Sequence, residues 1–221
     1  VTAQIVADDE SGRAAAIAVL RSGGVVALPT DTVYGIAVAL DTPGGIERLF
    51  RVKRRPPDKS IALLLADADQ AATMGVVTEA AEALAAACWP GGLTLVLTRR
   101  PGVVLPDALT RGAPTVGVRV PDHVAPRALA AAVGPLPTTS ANVSGQPEAR
   151  DAAEIVALLG DAIDLVLDGG PAHGGPASTV VDASRQSLRV LRVGAIPVPR
   201  LAEVLVTAGL PQSLDVPAES D

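Results

Sequence analysis

Along the chain, short apolar runs alternate with stretches whose apolar residues recur every three to four positions, a pattern that predicts an α/β protein. A first helix is expected over 13–21, capped by Ser11, with Ile17 and Leu20 facing the core and Gly23-Gly24 ending it. The run 25–28 then reads as a short buried strand, closed by Pro29, which has no N–H to give to a ladder. A second helix starts at Asp41-Thr42-Pro43 and carries Ile46, Leu49 and Phe50 on one face as far as Val52. Strands are expected over 60–65, 93–97, 115–120, 165–167 and from Leu136 onward, with 178–182 and 188–193 as a hairpin. Helices are expected over 78–88, 122–133, 151–159 and 200–208, the first of these halted at Trp89-Pro90-Gly91-Gly92. Two long loops remain, 101–114 as a lid or rim and 168–176, whose four glycines make it the preferred lid. There is no internal repeat, and the expectation is one domain over 1–210 followed by a polar, disordered tail over 211–221.

The polar residues carry most information where they interrupt this pattern. Pro29-Thr30-Asp31-Thr32-Val33-Tyr34-Gly35 puts two hydroxyls, a carboxylate and the only tyrosine at a strand's carboxyl end, the edge where open α/β sheets bind ligands. The plainer alternative is a turn in which Thr30 and Asp31 bond the local backbone. Lys53-Arg54-Arg55-Pro56-Pro57-Asp58-Lys59 sets four cations on a stiff exit loop, either a solvated face or an anion site. Arg119 points opposite to Val118 and Val120 in an otherwise apolar strand, so it must meet a carboxylate or a ligand anion. The stretch 137–145 offers Thr138, Thr139, Ser140 and Ser144 hydroxyls, the Asn142 amide and Gly145, neutral donors suited to an anion or to a simple Ser/Thr turn. Arg192, two residues before Gly194, is a further candidate anion contact.

Composition narrows the classes. The chain is 48% hydrophobic but has only Tyr34, Phe50 and Trp89 as aromatics, so its core must be built of Ala, Val, Leu and Ile. A net charge of −6 opposes a general electrostatic grip on nucleic acid. One cysteine, Cys88, and two histidines, His123 and His173, exclude a disulfide framework and make a structural zinc site untenable. His123 reads as a helix cap and His173 as a loop residue. The first 13 residues are polar and acidic and no run reaches the length of a membrane span, so a cytoplasmic protein without a membrane partner is expected. Walker, dinucleotide and Gly-x-Ser-x-Gly motifs are all missing.

Pro29 to Gly35, Lys53-x-Arg55-Pro56, Trp89-Pro90-Gly91, Val118-Arg119-Val120-Pro121, Ser140-Ala141-Asn142-x-Ser144-Gly145, Ser178-Thr179-Val180 and Leu191-Arg192-x-Gly194 together resemble the YrdC-like family. The set spans nearly the whole chain. Members with Lys-x-Arg followed by Ser-x-Asn are threonylcarbamoyl-AMP synthases, which join L-threonine, bicarbonate and ATP into L-threonylcarbamoyladenylate and pyrophosphate for threonylcarbamoyladenosine in tRNA. The resemblance implies an α/β fold in the short, single-domain form, with a twisted mixed sheet and flanking helices around a large central cavity. It implies threonine contacts at Thr32, Arg119, Thr138 and Ser178, and ATP contacts at Arg55, Lys59, Thr115, Ser140, Asn142 and Arg192. Lys53 and Arg55 would be catalytic, Mg²⁺ would arrive with ATP, and the product would pass to a tRNA threonylcarbamoyl transferase complex, with no strong direct nucleic-acid binding. Two positions depart from the family pattern: Leu64 where longer members have histidine, and Lys59 where some have asparagine. The alternatives are an RNA- or nucleotide-binding module of the same fold without synthase activity, and carbamoyl-adenylate chemistry.

Overall fold

The computed structural model describes residues 3–54, 61–172, 174–211 and 214–216. Its strands are β1 (Gln4–Ala7), β2 (Val26–Leu28), β3 (Gly35–Ala37), β4 (Ala62–Leu64), β5 (Gly75–Val76), β6 (Leu93–Arg99), β7 (Thr115–Arg119), β8 (Leu136–Ser140), β9 (Leu165–Asp168), β10 (Thr179–Asp182), β11 (Leu188–Arg192) and β12 (Leu214–Asp215). Its α-helices are α1 (Glu10–Arg21), α2 (Gly45–Lys53), α3 (Ala68–Met74), α4 (Glu79–Cys88), α5 (Asp107–Thr110), α6 (Val124–Val133), α7 (Ala152–Leu159) and α8 (Val198–Thr207). Within 211–221, Leu214 and Asp215 pair with Leu188 and Arg189, while residues 212–213 and 217–221 of the expected tail lie outside the described residues.

Several helix starts differ from expectation for local reasons. Asp9, not Ser11, caps α1, its Oδ1 accepting the Gly12 N–H at 2.8 Å. The second helix begins at Gly45 because Gly44 adopts the left-handed conformation at φ 70°. His123 does cap α6, its Nδ1 accepting from the Ala125 N–H at 3.2 Å. Trp89 closes the turn after α4 by donating from Nε1 to the Leu93 carbonyl at 2.7 Å.

All strands join one mixed sheet in the order β1-β9-β2-β3-β8-β4-β7-β6-β10-β11-β12, with β5 paired to the far end of β6. The run from β2 through β3, β8 and β4 is antiparallel, and β4–β7 and β6–β10 are parallel. Strand alternation divides the sheet's two faces. One face carries Ile36, Leu63, Leu65, Leu93, Leu95, Val116, Val118, Val181 and Val190, all buried with α2, α4, α7 and α8 in the main apolar cluster. On the other face, Val26, Leu28, Ala37, Leu64 and Leu136 form a smaller cluster beneath α1 and α6. That cluster does not extend across the sheet, and beyond it the same face turns to glycine, hydroxyls and arginine.

Candidate active site

The uncovered half of that face is the floor of a cavity of about 320 Å³. Alternate residues supply it: Gly35 from β3, Thr138 and Ser140 from β8, Ala62 and Leu64 from β4, Thr115, Gly117 and Arg119 from β7, Thr94 and Val96 from β6, and Val180 from β10 with Ser178 just before it. The loop between β2 and β3 forms one wall, the segment holding α5 another, and Arg192 and Glu148 stand on the rim. Gly35 has to lack a side chain, because a Cβ there would come within 2.7 Å of Thr138 Cγ2.

Arg119 is held by three hydrogen bonds. Its Nη2 donates to Asp31 Oδ1 at 2.6 Å, its Nη1 to Thr32 Oγ1 at 3.3 Å and its Nε to the Gly91 carbonyl at 2.9 Å. The two sequence alternatives for this residue therefore hold together: it is a buried ion pair, and it also lies on the cavity floor. Asp31 bonds Arg119 rather than its own turn, a partnership across 88 residues that local pattern could not reveal. Thr30 is the local turn residue, donating to the Val33 carbonyl at 2.6 Å and accepting from the Thr32 N–H at 3.1 Å. The Trp89-Pro90-Gly91 turn finds its role here, in the carbonyl that receives Arg119.

Ser178 and Arg192 form a second polar group. Arg192 Nε donates to the Ser178 carbonyl at 3.0 Å and Nη2 to Ser178 Oγ at 3.1 Å, while Ser178 Oγ lies 2.8 Å from Thr94 Oγ1. Gly194 permits the close approach, since a Cβ there would sit 2.1 Å from the Ala177 carbonyl oxygen. Partial burial lowers the pKa of Arg192, the charge of Arg119 lowers it further, and Glu148 opposes both. Two guanidiniums thus face one cavity, an arrangement an anion relieves.

Lys53, expected to be catalytic, stands next to the cavity lining rather than in it. It ends α2 fully buried, with Nζ donating to the Ser140 carbonyl at 2.5 Å, to Ser140 Oγ at 3.0 Å and to Asn142 Oδ1. Ser140 Oγ donates to Asn142 Oδ1 at 2.8 Å, Asn142 Nδ2 to the Gln146 carbonyl at 2.6 Å, and the Ser144 N–H to the Lys53 carbonyl at 2.9 Å. Among the pair Lys-x-Arg and Ser-x-Asn, then, Ser140 reaches the cavity lining, whereas Lys53 and Asn142 stand behind it and hold it. Arg55, Lys59 and His173 lie outside the described residues.

Of the nine described residues to which the resemblance gives threonine, ATP or catalytic roles, the cavity gathers Thr32, Thr115, Arg119, Thr138, Ser140, Ser178 and Arg192. Sequence reasoning missed Thr94, Thr110 and Glu148; Thr94 was legible as the cavity-facing alternate of an apolar strand, the other two lie in irregular segments. The expected lid is tied down at its start: the buried Tyr34 hydroxyl donates to the Gly170 carbonyl at 2.6 Å and accepts the Gly169 N–H at 3.0 Å. Burial pushes the Tyr34 phenol pKa above its ordinary value, against the Gly169 N–H, which lowers it. Among the described residues no group of three or more His, Cys, Asp or Glu could hold a metal ion, and no helix is long and apolar enough to cross a membrane. The donor set is arginine and hydroxyl, suited to the oxygens of an anion rather than to a bare cation.

The profile of the Sua5/YciO/YrdC family, described as telomere recombination, matches residues 18–194, and the chain belongs to this family. A threonylcarbamoyl-AMP synthase of Vibrio vulnificus is 37% identical over 174 residues, covering 76% of this chain and 92% of its own. The threonylcarbamoyl-AMP synthase of Pyrococcus abyssi is 34% identical over 188 residues; the match takes in 84% of this chain and 55% of that protein, so the chain spans about half its length. The crystal structure of P. abyssi Sua5 complexed with L-threonine superposes with a TM-score of 0.85 at 32% identity, covering 97% of this chain and 61% of the other.

Proposed function

We propose that the chain is a threonylcarbamoyl-AMP synthase, condensing L-threonine, bicarbonate and ATP to L-threonylcarbamoyladenylate and pyrophosphate. The observation that carries this reading is Arg119: a buried guanidinium on the floor of a hydroxyl-lined cavity, in a family whose Sua5 member has been crystallised with L-threonine. The fork of an arginine matches a carboxylate with two parallel hydrogen bonds. Arg119, Thr32, Ser178 and Thr138 would hold the amino acid; Thr115, Ser140 and Arg192, with Arg55 and Lys59, would hold ATP. Asn142 and Lys53 would serve ATP through the position they give Ser140.

The threonine ammonium loses a proton and its nitrogen attacks carbon dioxide, with loss of a second proton, or bicarbonate, whose C–OH bond breaks with release of water, giving in either case a carbamate. A carbamate oxygen then attacks the α-phosphorus, and the bond to the bridging oxygen breaks to release pyrophosphate. Negative charge accumulates on phosphate oxygens, so Arg192 and the donors around Ser140 would contribute by fixed electrostatics and positioning. Mg²⁺ bound to the nucleotide would neutralise part of the triphosphate charge. One domain over 1–210, a cytoplasmic location and transfer of the product to a tRNA-modifying transferase complete the reading. The test is pyrophosphate release from Mg-ATP with purified protein, with threonine and bicarbonate each omitted in turn. Release is expected only when both are present; release needing neither, or none at all, would overturn the synthase reading, the latter in favour of a nucleotide- or RNA-binding module.

A further inference from the structure

Strand alternation does not by itself bring Arg192 to the cavity. Val190 is buried in the main apolar cluster, and residues two apart on a regular strand share a face, so Arg192 would follow Val190 away from the cavity. It lines the cavity instead. The ladder shows how: Val181 pairs with Val190 but Val180 pairs with Arg192, which leaves Leu191 as one extra residue on β11. A bulge of this kind re-aims the side chain that follows it, and Arg192 faces the same way as its partner Val180, which also lines the cavity.

The chain leaving the bulge is fastened at one atom. Thr179 Oγ1 donates to the Ile196 carbonyl at 2.7 Å and accepts the Gly194 N–H and the Ile196 N–H, each at 2.9 Å. A hydroxyl has one proton to give and two lone pairs, and here all three are used. Thr179 is fully buried, opens β10, and is in step with Val181 of the main apolar cluster, whereas its neighbours Ser178 and Val180 line the cavity. The same loop is confined from two other sides. The Ala195 N–H donates to the Ala177 carbonyl at 2.9 Å, and a Cβ on Gly92 would come within 2.5 Å of the Ala195 Cβ. Ser178, one residue before Thr179, receives Arg192 through its carbonyl and its hydroxyl.

We propose that Thr179 is a positioning residue: from the opposite face of the sheet, its hydroxyl locks the bulge that aims Arg192 into the cavity and sets Arg192 and Ser178 as one unit. The proposal rests on the synthase reading for what these two residues meet, ATP at Arg192 and threonine at Ser178.

The test compares wild type with Thr179→Val, which keeps the shape and removes the hydroxyl, and with Thr179→Ser, which keeps the hydroxyl, all well below their melting temperatures. Valine is expected to raise the KM for Mg-ATP and the KM for threonine together, each about 3- to 10-fold, the cost of one weakened hydrogen bond, and serine to restore both. A lowered Tm with both KM values unchanged would make Thr179 merely structural, and equal effects of serine and valine would exclude the hydroxyl; either result overturns the proposal. Should the valine variant fail to fold, amide hydrogen exchange on unliganded wild type decides. Gly194 and Ile196 are expected to exchange as slowly as the core of the sheet, and fast exchange at either overturns the proposal. Calorimetric titration with Mg-ATP on the same samples reports separately on the synthase reading: wild type that binds ATP without turnover overturns that reading, while a Kd raised by valine and restored by serine still supports the role of Thr179. Wild type that does not bind ATP overturns both.

Discussion

Arg119 has three fixed hydrogen bonds in this structure, and their geometry decides what a substitution does. A buried guanidinium is tolerated because Asp31 balances its charge, while the Gly91 carbonyl and Thr32 hold its plane against the cavity floor. Lysine at this position would keep the charge and lose the planar fork. Arg119→Lys is therefore expected to raise the KM for threonine about 10-fold or more, the cost of weakening charge-assisted hydrogen bonds to a carboxylate, with a smaller change in the KM for ATP. Steady-state pyrophosphate release with each substrate varied reads the two values, and an unchanged threonine KM would place the carboxylate elsewhere. Arg119 was legible as a costly residue in an apolar strand because burial and charge conflict within five residues of sequence. Asp31 was visible only as a member of a polar loop, since nothing local distinguishes a turn-former from the far partner of an ion pair.

At the scale of elements, the C-terminal end of α2 and the segment leaving β8 are fastened together by one buried ammonium, with Lys53 Nζ on Ser140 and Asn142 and its carbonyl on the Ser144 N–H. Lys53→Met would fill the space but remove the ammonium, leaving Asn142 Oδ1 only the Ser140 hydroxyl and the Ser140 carbonyl the Asn142 N–H. The expected cost is about 1.5–3 kcal/mol, that of losing hydrogen bonds to a charged group, read from the urea midpoint. A mainly raised KM for ATP is expected with it, as Ser140 loses its support. Loss of kcat at unchanged stability and KM would instead put Nζ on the reacting phosphates. The strands β6, β7, β10 and β11 were readable from alternation and apolar content. The strand β3 was not, because three residues directly after a ligand-type loop give no period to detect, and α3 buries only Ala71, too little to leave an apolar stripe. The α5 turn inside 101–114 was hidden for the same reason: a four-residue helix has no periodicity.

For the whole molecule, the sheet is unbroken from β1 to β12, and the cavity draws on β3, β4, β6, β7, β8, β10 and β11, elements far apart in sequence. A ligand that bridges these strands bonds groups that separate only when the sheet itself comes apart. Its binding energy should then add to global stability rather than to the stability of one loop. At 100 times its Kd a ligand specific for the folded state contributes about 2.7 kcal/mol, which for a chain of this size corresponds to a rise in Tm of roughly 5–11 °C. Mg-ATP is expected to move a single calorimetric transition by that amount. Two transitions, of which only one responds, would mean that the β10–β12 edge melts apart from the rest and that Arg192 meets the nucleotide only in passing. The net charge of −6 makes the comparison informative in salt. Arg192 would meet ATP as a local positive charge in an acidic molecule, so raising ionic strength should shrink the ATP-induced shift through local screening while leaving the unliganded transition nearly in place.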